Sequence, residues 1–251
     1  MPDRLEGRNP ILECLLRRRR EVHQIWLDER ARPDRKLEQI LGLASKARVP
    51  VRGVRRQKLD EMTEGRVHNG IVASVSHLPD VTTLGRIDAL FDEGASPFFL
   101  LADEVNYEHN LGAMLRTALG FGVHALVLPT RRGASVSPVV SRVSMGAVEV
   151  VPVIREGLSG SLKHLKKAGV KVVGADMGGT PMSELDLRGP VAIVMGGESK
   201  GLSPALRKKC DAVASVPLAG GLESLNVSVA AALLMYEKRR QDGWFSPDRP
   251  E

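Results

Sequence analysis

Short apolar runs that alternate with helical segments constrain the fold of this 251-residue chain more than any other feature. The runs 98–102, 125–128 and 191–195 are apolar throughout and show no alternation with polar residues. Runs of this kind indicate strands that are buried on both faces of a parallel sheet, with helices packed on each side. We therefore predict an α/β fold whose ligand site lies beyond the carboxyl ends of its strands.

The same patterns predict an order of elements along the chain. Before residue 79 we expect helices at 10–19 and 34–46, and strands at 22–27, 49–54 and 70–75. After residue 97 we expect strands at 98–102, 125–128, 150–154, 170–174, 191–195 and 214–218, and helices at 112–121, 138–145, 158–168, 204–210 and 227–240. The stretch from Pro79 to Pro97 also holds Gly85 and Gly94, which is typical of a boundary. We predict one domain over residues 1–78, a linker over 79–96, and a second domain over 97–251.

The charge of the chain is concentrated in its first third. The whole chain carries a net charge of +6, and residues 1–80 hold 17 Lys and Arg against 12 Asp and Glu, a net +5. Two clusters stand out, Arg17–Arg20 and the group of Arg52, Arg55, Arg56 and Lys58. Such clusters can follow a phosphate backbone, which favours an anionic partner. For Arg17–Arg20 a solvated helix end is an equally good interpretation.

Several functional classes lack their sequence signals. The two cysteines, Cys14 and Cys210, are far apart, and the six histidines show no metal-ligand spacing such as HExxH, so we expect no metal. The glycine-rich phosphate motifs GxGxxG and GxxxxGK[ST] are missing. No apolar stretch approaches the roughly 20 residues that span a bilayer, and the first residues do not resemble a secretory signal. We expect a cytoplasmic protein without a membrane partner.

Three loops that follow predicted strands hold unusual polar residues. The first contains Asn110, with Arg116 on the helix that follows, and the second, from Met195 to Ser203, is glycine-rich. The third, from Leu218 to Ser228, precedes the last helix. Each loop alone is explained by helix capping, with Asn110, Ser203 and either Ser224 or Asn226 as N-caps, and by an arginine that reaches solvent.

Taken together and in this order, the three loops resemble the motifs of the SpoU family of RNA ribose 2′-O-methyltransferases, the TrmH-like group of the SPOUT enzymes. The matching stretches are Asn110-Leu-Gly-Ala-Met-Leu-Arg-Thr-Ala, Val194-Met-Gly-Gly-Glu with Gly201-Leu, and Val216-Pro-Leu-Ala-Gly with Glu223-Ser-Leu-Asn-Val-Ser-Val-Ala-Ala. Ser199 and Lys200 depart from the family pattern, which expects Gly and often an acidic residue there. This departure bears on the affinity for the cofactor.

The resemblance extends to the N-terminal part of the chain. Glu6-Gly-Arg-Asn-Pro-Ile-Leu-Glu and Gly65-Arg-Val-His-Asn-Gly-Ile-Val-Ala resemble the start and end of the family's RNA-binding domain, which is similar to ribosomal protein L30e. This arrangement resembles the 23S rRNA guanosine 2′-O-methyltransferase branch. It implies a small L30e-like α/β domain in front of the methyltransferase domain, and it agrees with the positive charge of residues 1–80.

The resemblance also implies the architecture and ligands of the second domain. It implies a deep trefoil knot in the C-terminal part, a rare exception to unknotted chains, and a homodimer with the first motif at the interface. The methyl donor is S-adenosyl-L-methionine, and the substrate is RNA, most simply 23S rRNA. The residues that the family pattern assigns to the cofactor are Leu128, Gly196, Gly197, Val216, Leu218, Ser224 and Leu225.

The family pattern gives the catalytic roles to Arg116, Asn110, Glu198, Ser224 and Asn226. Arg116 would act on the ribose hydroxyl together with an RNA phosphate, although a guanidinium normally keeps its proton. Alternatively, Arg116 orients the phosphate and stabilises the developing alkoxide, while another group or water takes the proton. Asn110, Ser224 and Asn226 would orient the ribose and Arg116, and Glu198 would order the second loop. A methyltransferase for tRNA or another rRNA site, and a non-catalytic ribosome-assembly factor, remain the alternatives.

Overall fold

A computed structural model describes residues 3–197 and 201–245 of the chain. The helices are α1 Arg8–Arg17, α2 Arg35–Lys46, α3 Arg56–Thr63, α4 Thr83–Asp92, α5 Glu108–Gly120, α6 Pro138–Val143, α7 Leu158–Lys167, α8 Pro204–Arg207 and α9 Val227–Gln241. The strands are β1 Asp3–Glu6, β2 Val22–Asp28, β3 Val51–Val54, β4 Ile71–Val75, β5 Phe98–Ala102, β6 Ala125–Leu128, β7 Val153–Arg155, β8 Lys171–Pro181, β9 Val191–Met195 and β10 Ala212–Ser215. Two short 3₁₀ helices cover Ala147–Glu149 and Met182–Glu184.

These elements form two compact units. The first contains the residues up to Asp80 together with Ser135–Val150, and the second contains Val81–Ala134 and the residues from Val151 onward. The boundary between the two units near residue 80 lies at the start of the predicted linker. Residues 135–150, however, pack with the first unit although they fall within the predicted second domain, so the boundaries at 78 and 97 stay a prediction.

The first unit is built on a four-stranded sheet in the order β1-β4-β2-β3. Strands β1 and β2 run antiparallel to β4, and β3 runs parallel to β2 at the edge. Helices α1 and α2 cover one face, because their apolar sides close over Ile25, Ile71 and Ala73 of the sheet. The sequence patterns did not predict β1 or α3, which are short and rich in charged residues.

The second unit contains a six-stranded sheet in the order β10-β8-β9-β5-β6-β7, in which every pair of neighbours is parallel. The central strands β5 and β9 are buried along their whole length, since helices or loops cover both faces. The core on one side joins α4 and α7 to the sheet through aliphatic residues such as Ile87, Leu162 and Val194. The predicted α/β fold with a parallel sheet is confirmed.

Some element ends differ from the sequence predictions. Helix α5 begins at Glu108, so Asn110 lies inside its first turn and is not the N-cap; that prediction was wrong. The backbone N–H of Leu111 already bonds the carbonyl of Tyr107, which fixes the earlier start. Ser203 and Asn226 do cap α8 and α9, as predicted.

Candidate active site

A cavity of about 1060 Å³ opens in the second unit beside the carboxyl ends of β9 and β10. Met195 at the end of β9 and Ser215 at the end of β10 both line it. Parallel strands present the loops that follow them at one edge of the sheet, which is where ligands bind in folds of this class. The cavity lies where the sequence predicted the ligand site.

The glycine-rich second loop forms one wall of the cavity. Gly197 and Gly201 pair as an antiparallel bridge, with N···O distances of 2.9 and 3.0 Å. A Cβ atom on Gly196 would lie only 2.2 Å from the carbonyl carbon of Gly201, so only glycine allows this close approach of two backbone segments. Glu198, the predicted catalytic residue of this loop, lies outside the described residues, together with Ser199 and Lys200.

The first and third loops meet at the cavity through a pair of asparagines. The side-chain amide nitrogen of Asn226 donates to the side-chain oxygen of Asn110 at 3.0 Å. The side-chain oxygen of Asn226 accepts the backbone N–H of Ser228 at 2.9 Å and so caps α9. One asparagine therefore fixes the start of α9 and holds it to the first turn of α5.

Most of the predicted site residues line this one cavity. They come from all three loops and are Asn110, Gly196, Gly197, Val216, Leu218, Ser224, Leu225 and Asn226. Ser224 and Asn226 are exposed, whereas Gly196 is buried. Residues from all three sequence motifs thus line a single cavity.

Two predicted residues do not line the cavity. Arg116 lies on α5 six residues after Asn110, and its side chain is exposed. Leu128 is buried at the end of β6, a strand that β5 separates from β9. Leu128 therefore lies away from the cavity wall in this chain, and its assignment to the cofactor stays a prediction.

The cavity is acidic. Three carboxylates from different segments line it, Glu108 of α5, Asp176 of β8 and Glu223 of the third loop, and no lysine or arginine lines it within the described ranges. Asp176 also forms an ion pair with Arg207, and its Oδ1 accepts the backbone N–H of Met177 at 2.8 Å. The sequence analysis missed Asp176, although an aspartate directly after an apolar strand run was a usable signal.

A second acidic pair lies next to the second loop, at the end of β5. Burial, with a contribution from the neighbouring Glu104, raises the pKa of the Asp103 carboxyl above its usual value. Glu104 has a positive φ of 52° and pairs with Arg132 at 2.6 Å. The Cβ position of Gly197 lies 3.2 Å from the Cβ of Glu104, so the two loops pack closely here.

Metal-ligand clusters and membrane-spanning helices are absent from the described residues. In residues 3–197 and 201–245, no three His, Cys, Asp or Glu side chains come together as a group that could ligate a metal. Each helix in the same ranges is too short or too polar to cross a membrane.

Comparisons with known proteins identify the family. Residues 97–236 match the model of the SpoU rRNA methylase family, and residues 4–81 match the model for RNA 2′-O ribose methyltransferase substrate binding. The chain belongs to the SpoU family of RNA methylases. The family inferred from the three motifs is confirmed, and S-adenosyl-L-methionine is the methyl donor of this family.

Individual SpoU relatives are similar to nearly the whole of this chain. The 23S rRNA (guanosine-2′-O-)-methyltransferase RlmB of Pseudomonas putida is 37% identical over 241 residues, which is 95% of this chain and 96% of that protein. A tRNA/rRNA methyltransferase of Mycolicibacterium smegmatis, described as uncharacterized, is 38% identical over 94% of this chain and 75% of its own length. The solved structure of AviRb from Streptomyces viridochromogenes in complex with AdoMet has the same fold, with a TM-score of 0.77, 24% identity, and coverage of 95% and 89%.

Proposed function

We propose that this SpoU protein transfers the methyl group of S-adenosyl-L-methionine to the ribose 2′-hydroxyl of a guanosine in 23S rRNA. The observation that carries the proposal is the 3.0 Å bond between Asn110 and Asn226, which joins the first and third motifs at the mouth of one cavity. The choice of guanosine in 23S rRNA follows the similarity to RlmB of Pseudomonas putida. Work on ribosomal RNA would take place in the cytoplasm.

The cavity suits this donor in size and in charge. A volume of about 1060 Å³ is at the upper end of the range for small-molecule sites. The donor supplies a methyl group on a positively charged sulfonium. The carboxylates of Glu108 and Glu223 favour a cation in this cavity, whereas the charge of Asp176 is offset by its ion pair with Arg207. Val216 and Leu225 offer apolar contact, and the Gly196 backbone allows close approach.

Each polar side chain then has a proposed task in the transfer. Asn110, Ser224 and Asn226 orient the ribose so that its hydroxyl is aligned with the methyl group. Arg116 binds an RNA phosphate and stabilises the charge that develops on the ribose oxygen. The proton passes either to Arg116, as the family pattern has it, or to another group or water. Glu198 orders the second loop.

We further propose that the protein works as a homodimer and that Arg116 reaches the site of the partner. Arg116 does not line the cavity of its own chain, yet it shares an exposed side of α5 with Leu119, which lies three residues later. Tyr236 and Phe245 stack at 5.1 Å between ring centroids near Phe121, and both are about half exposed, at 46% and 50%. An exposed apolar surface of this kind is typical of an interface between subunits.

We also propose the trefoil knot. The second loop follows β9 and the third loop follows β10, and β8 lies between these two strands in the sheet. Both loops nevertheless line one cavity, which supports the proposal. A chain that passes through its own loop would bring both segments to the donor. A crystal structure with a threaded trace is expected, and an unthreaded trace would contradict this proposal.

The main test is methyl transfer to defined RNA. The purified full chain is incubated with methyl-labelled S-adenosyl-L-methionine and either deproteinised 23S rRNA or tRNA, and the RNA is digested to nucleosides. We expect label in 2′-O-methylguanosine from 23S rRNA, unchanged by EDTA. Label from tRNA would identify the alternative substrate. Binding of RNA without any label would support a non-catalytic assembly factor.

The dimeric site has a test of its own. Arg116→Ala and Asn226→Ala subunits are each expected to keep at most about a tenth of the wild-type rate as homodimers, but to bind the donor when measured by calorimetry. If Arg116 acts in the partner's site, a heterodimer of the two variants has one complete site. Equal mixing should then restore about a quarter of the wild-type rate. No recovery on mixing would place Arg116 in the site of its own chain, and full activity of Arg116→Ala would remove it from the mechanism.

A further inference from the structure

The two arginine clusters of the first unit have different environments. In the run Arg17–Arg20, Arg17 pairs with Glu13 at 3.2 Å and Arg18 ends α1 in a left-handed conformation. Arg19 reaches the carbonyl of Val148. Arg20 is buried and bonds Glu149 and Asp3. Arg19 and Arg20 therefore serve the internal structure of the unit, and an RNA phosphate cannot reach Arg20, whereas Arg17 and Arg18 are exposed.

The second cluster is open to solvent. Arg52 lies in β3, Arg55 is the N-cap residue of α3, and Arg56 is its first residue. All three side chains are exposed, and within residues 3–197 and 201–245 none of them makes an ion pair or a side-chain hydrogen bond. Lys58, in contrast, pairs with Glu61 at 3.3 Å. Three free guanidinium groups thus lie within five consecutive residues.

This cluster lies on the open edge of the sheet. Strand β3 is last in the order β1-β4-β2-β3, and Val51, Arg52 and Gly53 are all exposed. Arg52 pairs in register with Trp26 of β2, so the two side chains are neighbours on the face of the sheet opposite to α1 and α2. Trp26 is only partly buried there. A base can stack on an aromatic side chain beside arginines that hold its phosphate.

We propose that the β3 edge, formed by Arg52, Arg55 and Arg56 with Trp26 beside them, is the surface of the first unit that binds the phosphate backbone of the RNA substrate. The inference rests on the proposed function, because it takes RNA as the substrate. It is supported by charge complementarity, because residues 1–80 carry a net charge of +5 and three of their exposed, unpaired arginines lie together here beside an aromatic side chain. A competing role for arginines at this position is protection of an exposed strand edge against self-association.

The experiment compares two triple variants that lose the same charge from the same unit. The test variant carries Arg52→Gln, Arg55→Gln and Arg56→Gln. The control carries Arg17→Gln, Arg18→Gln and Lys46→Gln, all exposed and none of them in β3 or α3. Affinity for deproteinised 23S rRNA is measured at several salt concentrations. We expect the test variant to bind about tenfold or more weakly at low salt, and its slope of log affinity against log salt to fall by about 2, since each lost phosphate contact removes roughly 0.7 to 0.9.

A local signal shows where the RNA lies. The chain has two tryptophans, Trp26 and Trp244, and a Trp244→Phe background leaves Trp26 as the reporter. RNA should quench its fluorescence in this background and in the control variant, but not in the test variant. Donor binding by calorimetry and the melting temperature should be the same in all variants, because neither the cavity nor a buried group is changed.

The outcomes separate this inference from the proposed function. If the wild type methylates RNA but the test variant binds RNA within about twofold of the control, the β3 edge is not the RNA surface. If the test variant self-associates while its RNA affinity is unchanged, the arginines protect the strand edge and the inference is wrong. If the wild type transfers no methyl group to any RNA, the proposed function fails, and this inference fails with it.

Discussion

Asn226 donates a hydrogen bond from its side-chain amide to the side-chain oxygen of Asn110 at 3.0 Å, although 116 residues separate the two in sequence. The oxygen of Asn226 is occupied by the backbone N–H and the hydroxyl of Ser228, at 2.9 and 2.6 Å, so its amide group is held facing Asn110. Helices α5 and α9 therefore begin in a fixed relation at the cavity. Side chains on both helices can be held in the position that transfer to a ribose requires.

Removing this bond should impair turnover more than stability. In Asn110→Ala the cap of α9 is intact, so we expect an unchanged melting temperature, donor affinity within about threefold, and a kcat on RNA lowered at least about tenfold, because a small misplacement is costly in transfer reactions. Asn226→Ala also loses the cap, at a cost of about 1 kcal/mol in unfolding free energy. The double variant should turn over no more slowly than the slower single one, if the two residues act as a pair. Turnover of Asn110→Ala within threefold of wild type would contradict this role.

The Gly196 position should tolerate no side chain. In Gly196→Ala the new Cβ would approach the backbone of Gly201 and Leu202 to 2.2 and 2.3 Å, so the second loop must move. We expect donor affinity, measured by calorimetry, to fall at least about tenfold. Gly160→Ala is the matched control, because its Cβ meets nothing within 4 Å, and its donor affinity should equal that of wild type. If both variants bind the donor with equal affinity, the second loop does not contribute to donor binding.

The sequence predicted the elements whose pattern is local. Strands such as Phe98–Ala102 and Val191–Met195 are continuous apolar runs, and the structure has them at the predicted residues. Strand β1 escaped prediction because its partner strand β4 is distant in sequence, and helix α3 because it is short and rich in charged residues. Glu6 of β1 is fully buried and pairs at 3.1 Å with Arg66, which lies 60 residues later in sequence. The place of residues 135–150 in the first unit also depends on contacts between distant segments, such as that of Glu149 with Arg20.

The sequence predicted which motifs form the candidate site, but not how their side chains are arranged in space. Helix capping alone accounts for an asparagine at position 226. Its hydrogen bond to Asn110, in contrast, depends on the packing of α5 against α9. The exposed position of Arg116 could not be predicted either, since an arginine on an apolar helix can reach solvent or face a site. The acidic lining of the cavity, with Asp176 on the long strand β8, depends on which strands are neighbours in the sheet.

The buried ion pair of the first unit should contribute strongly to stability. The side chains of Arg20 and Glu149 are 2% and 0% exposed, and Arg20 Nε donates to Glu149 Oε2 at 3.0 Å. Glu149→Leu leaves a buried guanidinium with only Asp3 as a charged partner, so we expect a loss of about 3 kcal/mol or more in unfolding free energy, measured with urea. The double variant Arg20→Met, Glu149→Leu should lose less unfolding free energy than Glu149→Leu alone. Arg17→Gln, which removes an exposed pair, should lose no more than about 0.5 kcal/mol.

The second unit should lose stability in mild acid because of His124. Burial lowers the pKa of His124 to about 4 from 6.5, with a further contribution from Arg239, Arg86 and Lys238, and its Nδ1 accepts the backbone N–H of Phe98 at 2.9 Å. In the unfolded chain the imidazole takes up a proton near pH 6.5, whereas the folded protein keeps it neutral down to about pH 4. The unfolded state therefore binds more protons in this window, and the unfolding free energy falls as the pH drops from 6.5 towards 4. Urea unfolding at pH 7, 6 and 5 should show that the unfolding free energy falls with pH in wild type and falls less steeply in His124→Gln. Equal pH dependence in the two proteins would rule out His124 as the cause.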